Sequence, residues 1–99
     1  MDIKALMEQA KTLQTNVSAA QDQLAQMTVK GIAANGLAIV EMTGKYDLVK
    51  LTLSPELMGE DLDTITAIIT AAFIDAKTKA DAAIDKVMGD ATAGMPLPV

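Results

Sequence analysis

An unbroken apolar stripe over the first quarter of the chain constrains the fold more than any other feature. Ile3, Leu6, Ala10, Leu13, Val17, Ala20, Leu24 and Met27 recur at alternating spacings of three and four. Four heptads of a and d positions without a miss predict one long helix over residues 2–27. At about 1.5 Å per residue it is roughly 39 Å long. The flanking e and g positions (Met7, Gln9, Gln14, Asn16, Gln21 and Gln23) are uncharged, so no interhelical charge code selects a partner.

The period then changes. Residues 28–53 read as a three-stranded antiparallel meander. Thr28–Ala33 is the first strand, and Asn35-Gly36, which tolerate positive φ, mark a hairpin. Leu37–Thr43 is the second strand, Gly44-Lys45 the next turn, and Asp47–Leu53 the third strand, with Val49, Leu51 and Leu53 on one face. Ser54-Pro55-Glu56 opens a short helical turn over 55–58, with Ser as N-cap and Pro at the first helical position. A second long helix is predicted over 61–88. Its start is crowded by Glu60, Asp61 and Asp63, which complement the helix dipole. Gly89 is the expected stop, and residues 90–99 the expected extended tail. The class is α+β, ordered α-β-β-β-α, as one domain over residues 1–99.

This order carries a geometric mismatch. A seven-residue strand spans about 23 Å, much less than either helix. A three-stranded sheet leaves two edges and one face open. Both its faces are apolar, with Ala38, Val40 and Met42 on one side and Leu37 and Ile39 on the other. A second copy resolves the mismatch. The expected assembly is an intertwined homodimer with paired helices as projecting arms. Leu37, Ile39, Val40, Met42, Val49, Leu51 and Phe73 are its dimer or core positions. The alternative is a monomer with the helices folded back as a hairpin, which leaves one sheet face bare.

Composition narrows the chemistry. The 99 residues include no His, Cys or Trp, which removes the usual general base, the thiolate nucleophile and the commonest metal ligands. Ser18 and Ser54 are the only serines, and neither has a His to activate it. No enzyme activity, catalytic residue, metal, cofactor or small-molecule substrate is expected. Glu60, Asp61 and Asp63 match no calcium-loop spacing. No stretch approaches the roughly 20 apolar residues a bilayer crossing needs, and residues 1–9 lack a signal peptide's apolar core. A cytoplasmic protein without membrane contact is the expectation.

Several short pieces occur in a telling order: Leu6-Met7-Glu8-Gln9-Ala10, Leu24-Ala25-Gln26, Val29-Lys30-Gly31, Gly36-Leu37, Ser54-Pro55-Glu56-Leu57, Ala71-Ala72-Phe73-Ile74-Asp75-Ala76 and Gly94-Met95-Pro96-Leu97-Pro98. Together they resemble the YbaB/EbfC family of bacterial nucleoid-associated proteins over almost the whole chain. The resemblance implies a tweezer-like α/β homodimer whose helical arms grip duplex DNA, a nucleoid location, and a role in nucleoid organisation or gene regulation. Family members are often encoded near recombination genes, which implies a recombination-related protein as a further partner.

Charge sets the terms of any DNA contact. The net charge is −5 and all eight cations are lysines. The family's third-strand arginine pair falls here at Val49 and Lys50, and its last-helix pair at Thr78 and Lys79. Lysine meets phosphate as a point charge, without the planar bidentate contact of arginine. The implied phosphate contacts are Lys4, Lys11, Lys77, Lys79 and Lys86 on the arms, with Lys45 and Lys50 in the sheet as secondary candidates. Residues 1–27 carry −1, residues 28–53 carry +1 and residues 54–99 carry −5. Most helical lysines have a carboxylate three or four residues away, in weak pairs worth about 0.3–0.5 kcal/mol. DNA binding should be weak, sequence-tolerant and salt-sensitive. The rival reading is a protein-interaction scaffold with little or no DNA binding, using the arms, the cleft between them or the Met95-Pro96-Leu97-Pro98 tail. The acidic last helix and the lack of arginine favour it.

Overall fold

The computed structural model describes residues 2–92. The expected α-β-β-β-α order is present: α1 (Ile3–Gln26), β1 (Thr28–Ala33), β2 (Ala38–Thr43), β3 (Leu48–Leu53) and α2 (Leu62–Ala91), with 3-10 turns at Ala34–Gly36 and Pro55–Gly59. The sheet is antiparallel in the order β1-β2-β3. The helices of 24 and 30 residues are about 36 and 45 Å long, and the molecule measures 69 Å along its longest axis. Most of the extended tail expected over 90–99 lies outside the described residues. No helix among the described residues is long and apolar enough to cross a membrane.

Capping follows the sequence. The Asp2 carboxylate accepts from Lys4 N–H, and Asp61 caps α2 by accepting from Thr64 N–H, each at 3.1 Å. Ser54 accepts from Glu56 N–H ahead of Pro55. At the far end of α1, Gly44 N–H donates to the Leu24 carbonyl at 2.9 Å, using one of the helix's terminal acceptors.

The main core lies between α2 and the sheet. Ala38, Val40 and Met42 of β2 are buried against Ala72, Ala76 and Ala80, a small-residue stripe on α2. The stripe comes close because Gly31 of β1 faces it. A Cβ on Gly31 would sit 2.0 Å from the Ala72 carbonyl oxygen. A second cluster joins Ala20 and Leu24 of α1 to Val87, with Ala83, Ile84, Met88 and Ala91 around it.

Four local expectations are corrected. Leu37 does not open β2. It is an αR residue at the end of a turn whose preceding three residues, Ala34, Asn35 and Gly36, have φ of 54°, 58° and 93°. A residue shift in the β2–β3 ladder sets Met42 opposite Leu48 and leaves Val49 as the extra residue, a bulge that breaks strict alternation. Phe73, expected as a dimer or core position, is exposed and lies outside the core of the chain, because the alanines of α2 make the close contact. Finally, α2 does not stop at Gly89 but runs to Ala91. A helical glycine costs up to about 1 kcal/mol. Here Ala91 packs against the Ala20–Leu24 cluster and the Thr92 N–H donates to the Met88 carbonyl, extending the helix past it.

The α1 stripe is buried along only half its length. Ala20 and Leu24 are buried, Leu13 and Val17 half-buried, and Leu6 and Ile3 exposed, Ile3 at 70%. The change comes where α2 ends, beside Asn16 and Ala20. Residues 3–15 therefore project as an arm whose apolar seam no other described residue closes.

Candidate nucleic-acid interface

The lysines fall on five separate surfaces. Lys4 and Lys11, two helical turns apart on α1, line one shallow groove of about 450 Å³ on the projecting arm, with Met7, Glu8, Ala10 and Gln14. Lys77 and Lys79 leave α2 on different flanks. Lys86 follows Lys79 by seven residues and so shares its flank. Lys45 sits in the turn before β3. Lys50 pairs across the ladder with Glu41, whose other neighbour is Lys30. This Lys30–Glu41–Lys50 row lies on the sheet face turned away from α2, since the adjacent Gly31 and Val40 face the helix. Lys30 was not among the sequence candidates. Its signal was the Thr28-Lys30-Ile32 alternation.

Local ion pairing is sparser than the sequence spacing suggested. Among the described residues two salt bridges form, Lys77–Asp81 at 4.0 Å and Lys79–Asp75 at 3.1 Å. Lys79 also donates to the Lys30 carbonyl at 2.7 Å, and Asp75 accepts from Ile32 N–H at 2.9 Å. The Ile32 hydrogen bond first, and the Lys79 ammonium second, hold the Asp75 carboxyl below the usual carboxylate range. Lys79 is thereby committed to the sheet, whereas Lys4, Lys11 and Lys86 have no carboxylate within 4 Å among the described residues.

Two further contacts orient the helix on the sheet. The Tyr46 hydroxyl, from the β2–β3 turn, donates to Asp81. That bond, with burial and the Asp81 and Asp85 charges, raises the phenol above its ordinary pKa. Asp81, Lys77 and Phe73 lie on one i+4 row of α2, so this row faces the β3 side while Asp75 and Lys79 face β1. Beyond β2 the sheet loses its helix cover. Leu51 and Leu53 pair with Val40 and Ala38 and share their face, yet both are 41% exposed, as is Phe73 at 43%. Of the proposed dimer or core positions, Val40 and Met42 thus lie in the subunit core, and Leu51, Val49 and Phe73 lie on an open apolar border. Ile39 is half-buried on the opposite face and Leu37 half-buried in the turn.

Among the described residues, no cluster of three or more carboxylates or other ligating side chains converges on one point. Thr64 hydrogen bonds hold the Asp61 carboxyl below its usual range as a helix cap.

Comparison with known proteins agrees with the fold. The nucleoid-associated protein GOX0603 of Gluconobacter oxydans (strain 621H) is 42% identical over 98 residues, 98% of this chain and 92% of that one. The crystal structure of the uncharacterized protein HP0035 from Helicobacter pylori superposes with a TM-score of 0.80 over 91% of this chain and 96% of its own, at 17% identity, and so shares the fold. The model of the YbaB/EbfC DNA-binding family matches residues 1–95. The chain belongs to the YbaB/EbfC DNA-binding family.

Proposed function

We propose that the protein is a nucleoid-associated homodimer that joins along β3 and holds duplex DNA through lysine–phosphate contacts. The observation that carries the dimer is the open apolar border of β3 and α2. Leu48, Val49, Leu51, Leu53 and Phe73 are all exposed side by side with a fully buried core. A second β3 laid antiparallel to the first continues the sheet, and the two uncovered leucine faces then meet beside the Phe73 flanks. Such a two-fold contact is self-complementary and closes.

DNA binding is supported by family membership and by the name of the 42%-identical relative. Among the lysines, Lys4 and Lys11 of the arm lead. Lys77, Lys86, Lys45 and Lys50 follow, with Lys79 last because it already bonds Asp75 and Lys30. Contacts of this kind read the backbone and not the bases, which fits a broad role in organising the nucleoid.

The test is fluorescence anisotropy on a duplex across a salt series. Binding in the roughly 1–100 μM range of non-specific complexes is expected at physiological salt. Replacing Lys4 and Lys11 by Ala removes four contacts per dimer and should flatten the slope of log K against log salt by about 3.6, at roughly 0.9 each. An unchanged slope rejects the arm assignment. No binding at low salt favours the protein-scaffold reading, for which the specific observation is the net charge of −5 without arginine.

A further inference from the structure

The two outer strands of the sheet end differently. In β1 the Ile32 N–H donates to the Asp75 carboxylate at 2.9 Å, and the Lys30 carbonyl accepts from the Lys79 ammonium at 2.7 Å. These groups flank Gly31 and point away from β2. Asp75 and Lys79 are themselves paired at 3.1 Å. The carboxylate therefore stands where a neighbouring strand would offer a C=O, and the ammonium where it would offer an N–H. One turn of α2 imitates one residue of a fourth strand. The close approach at Gly31 makes this possible, because the bare backbone lets α2 come near enough for both side chains to reach over the edge. Along β3, by contrast, no hydrogen bond from elsewhere among the described residues reaches the outer edge.

We infer that the Asp75–Lys79 pair closes β1 to strand addition, so that copies of the chain join through β3 alone and assembly stops at two. The inference rests on the β3 dimer proposed above. A dimer built on β3 would present a β1 strand at each end of its six-stranded sheet. Unpaired strand edges are templates for further pairing, and two such ends would allow dimer to add to dimer without limit. An incoming strand must displace two charge-assisted hydrogen bonds, which are about twice as strong as neutral ones, and leave a carboxylate and an ammonium beside its own backbone.

The experiment is sedimentation velocity on the full chain and on Asp75→Ala/Lys79→Ala, from low micromolar to near-millimolar concentration, with far-UV circular dichroism to confirm the helices. The parent is expected at twice its 10.4 kDa mass throughout, and the variant at masses that climb past the dimer as concentration rises. A parent that sediments as a monomer overturns the dimer reading itself. A dimeric parent with a folded variant that also stays dimeric overturns the edge cap alone. Should the variant not fold, hydrogen exchange of the parent decides. The Ile32 amide is expected to exchange at least about tenfold more slowly than an unstructured amide, and free exchange there refutes the cap.

Discussion

Replacing Gly31 by Ala tests the packing on which the whole subunit depends. The new Cβ would lie 2.0 Å from the Ala72 carbonyl oxygen, 2.4 Å from the Ala76 nitrogen and 2.7 Å from the Ala76 Cβ. Ordinary contact begins at 3.4 Å, so the worst of these must open by 1.4 Å. Two of the three atoms are helix backbone, and no side-chain rotation relieves them. Either β1 or α2 must move as a body, which loosens Ala72, Ala76 and Ala80 from Val40 and Met42 and stretches the bonds from Ile32 and Lys79 across the β1 edge. Overpacking in a tight core costs about 1–3 kcal/mol and occasionally more. A rigid backbone clash belongs at the upper end. At roughly 4–8 °C per kcal/mol for a domain of this size, a loss of about 3 kcal/mol lowers the midpoint by some 12–24 °C. Thermal melting by circular dichroism at one fixed concentration is the assay, since the midpoint of the proposed dimer depends on concentration. Gly89→Ala is the control. Its Cβ meets nothing within 4 Å, and an alanine there should stabilise the helix by about 0.5–1 kcal/mol. A Gly31→Ala protein melting within a few degrees of the parent would show that β1 does not lie against the α2 backbone.

Other perturbations address the border and the charges. Leu51→Lys places a charge on the open leucine face, and the expected result is a folded chain that sediments at half the parent mass; an unaltered dimer removes β3 from the interface. The carboxyls of Asp75 and Asp61 have folded pKa values below their unfolded ones, so their stabilising contribution is present above about pH 3.9 and is lost as pH falls through the folded values. The melting midpoint should therefore drop in acid, and Asp75→Asn should make that drop shallower; an identical acid profile in the variant discards the role. Tyr46 has the opposite sign, because its raised pKa gives a contribution that is complete below about pH 10 and fades above it. Tyr46→Phe should remove part of the alkaline loss, and an alkaline profile unchanged by the substitution counts against the Asp81 bond.

The extent to which the sequence disclosed this fold depended on where each signal came from. Helix α1 was legible because its eight stripe residues repeat without interruption, but the gradual exposure from Leu24 to Ile3 was not, since it depends on where α2 ends. The first hairpin was legible through Asn35-Gly36, yet its true length was hidden. The left-handed run begins at Ala34, a residue type that announces no positive φ. Val49 looked like an ordinary strand residue because a bulge leaves no mark in an alternating run. In α2 the alanines at 72, 76 and 80 recur at helical spacing and make the contact with the sheet, whereas how closely they let the backbones approach depends on Gly31 across from them. Among the lysines, Asp75–Lys79 was visible as an i,i+4 pair. The bond from Lys79 to a carbonyl 49 residues earlier was not, because it exists only once Gly31 has brought strand and helix together.

On the proposed reading, the arm is where this acidic chain meets a polyanion. Most of the negative charge lies in residues 54–99, which carry −5, and Asp81, Asp85 and Asp90 follow one another along the last turns of α2. Lys77 and Lys86 share that helix with them, so any phosphate they attract is also repelled at close range. Lys4 is placed otherwise. It stands twelve residues before Asn16, where α2 ends, which is about 18 Å of helix at 1.5 Å per residue. The Debye length at physiological ionic strength is about 8 Å, so more than two screening lengths separate this ammonium from the acids of α2. Lys11 is about 7.5 Å out by the same rise, roughly one screening length. Net charge governs attraction between distant bodies, but at the tip of a projecting helix the local count prevails. There Lys4 and Lys11 face a groove with Glu8 as its one acid, and Asp2 at the N-cap brings residues 2–15 to zero net charge, against −5 for residues 54–99. The same length of α1 whose apolar seam no other described residue covers thus carries these two lysines clear of the acids of α2.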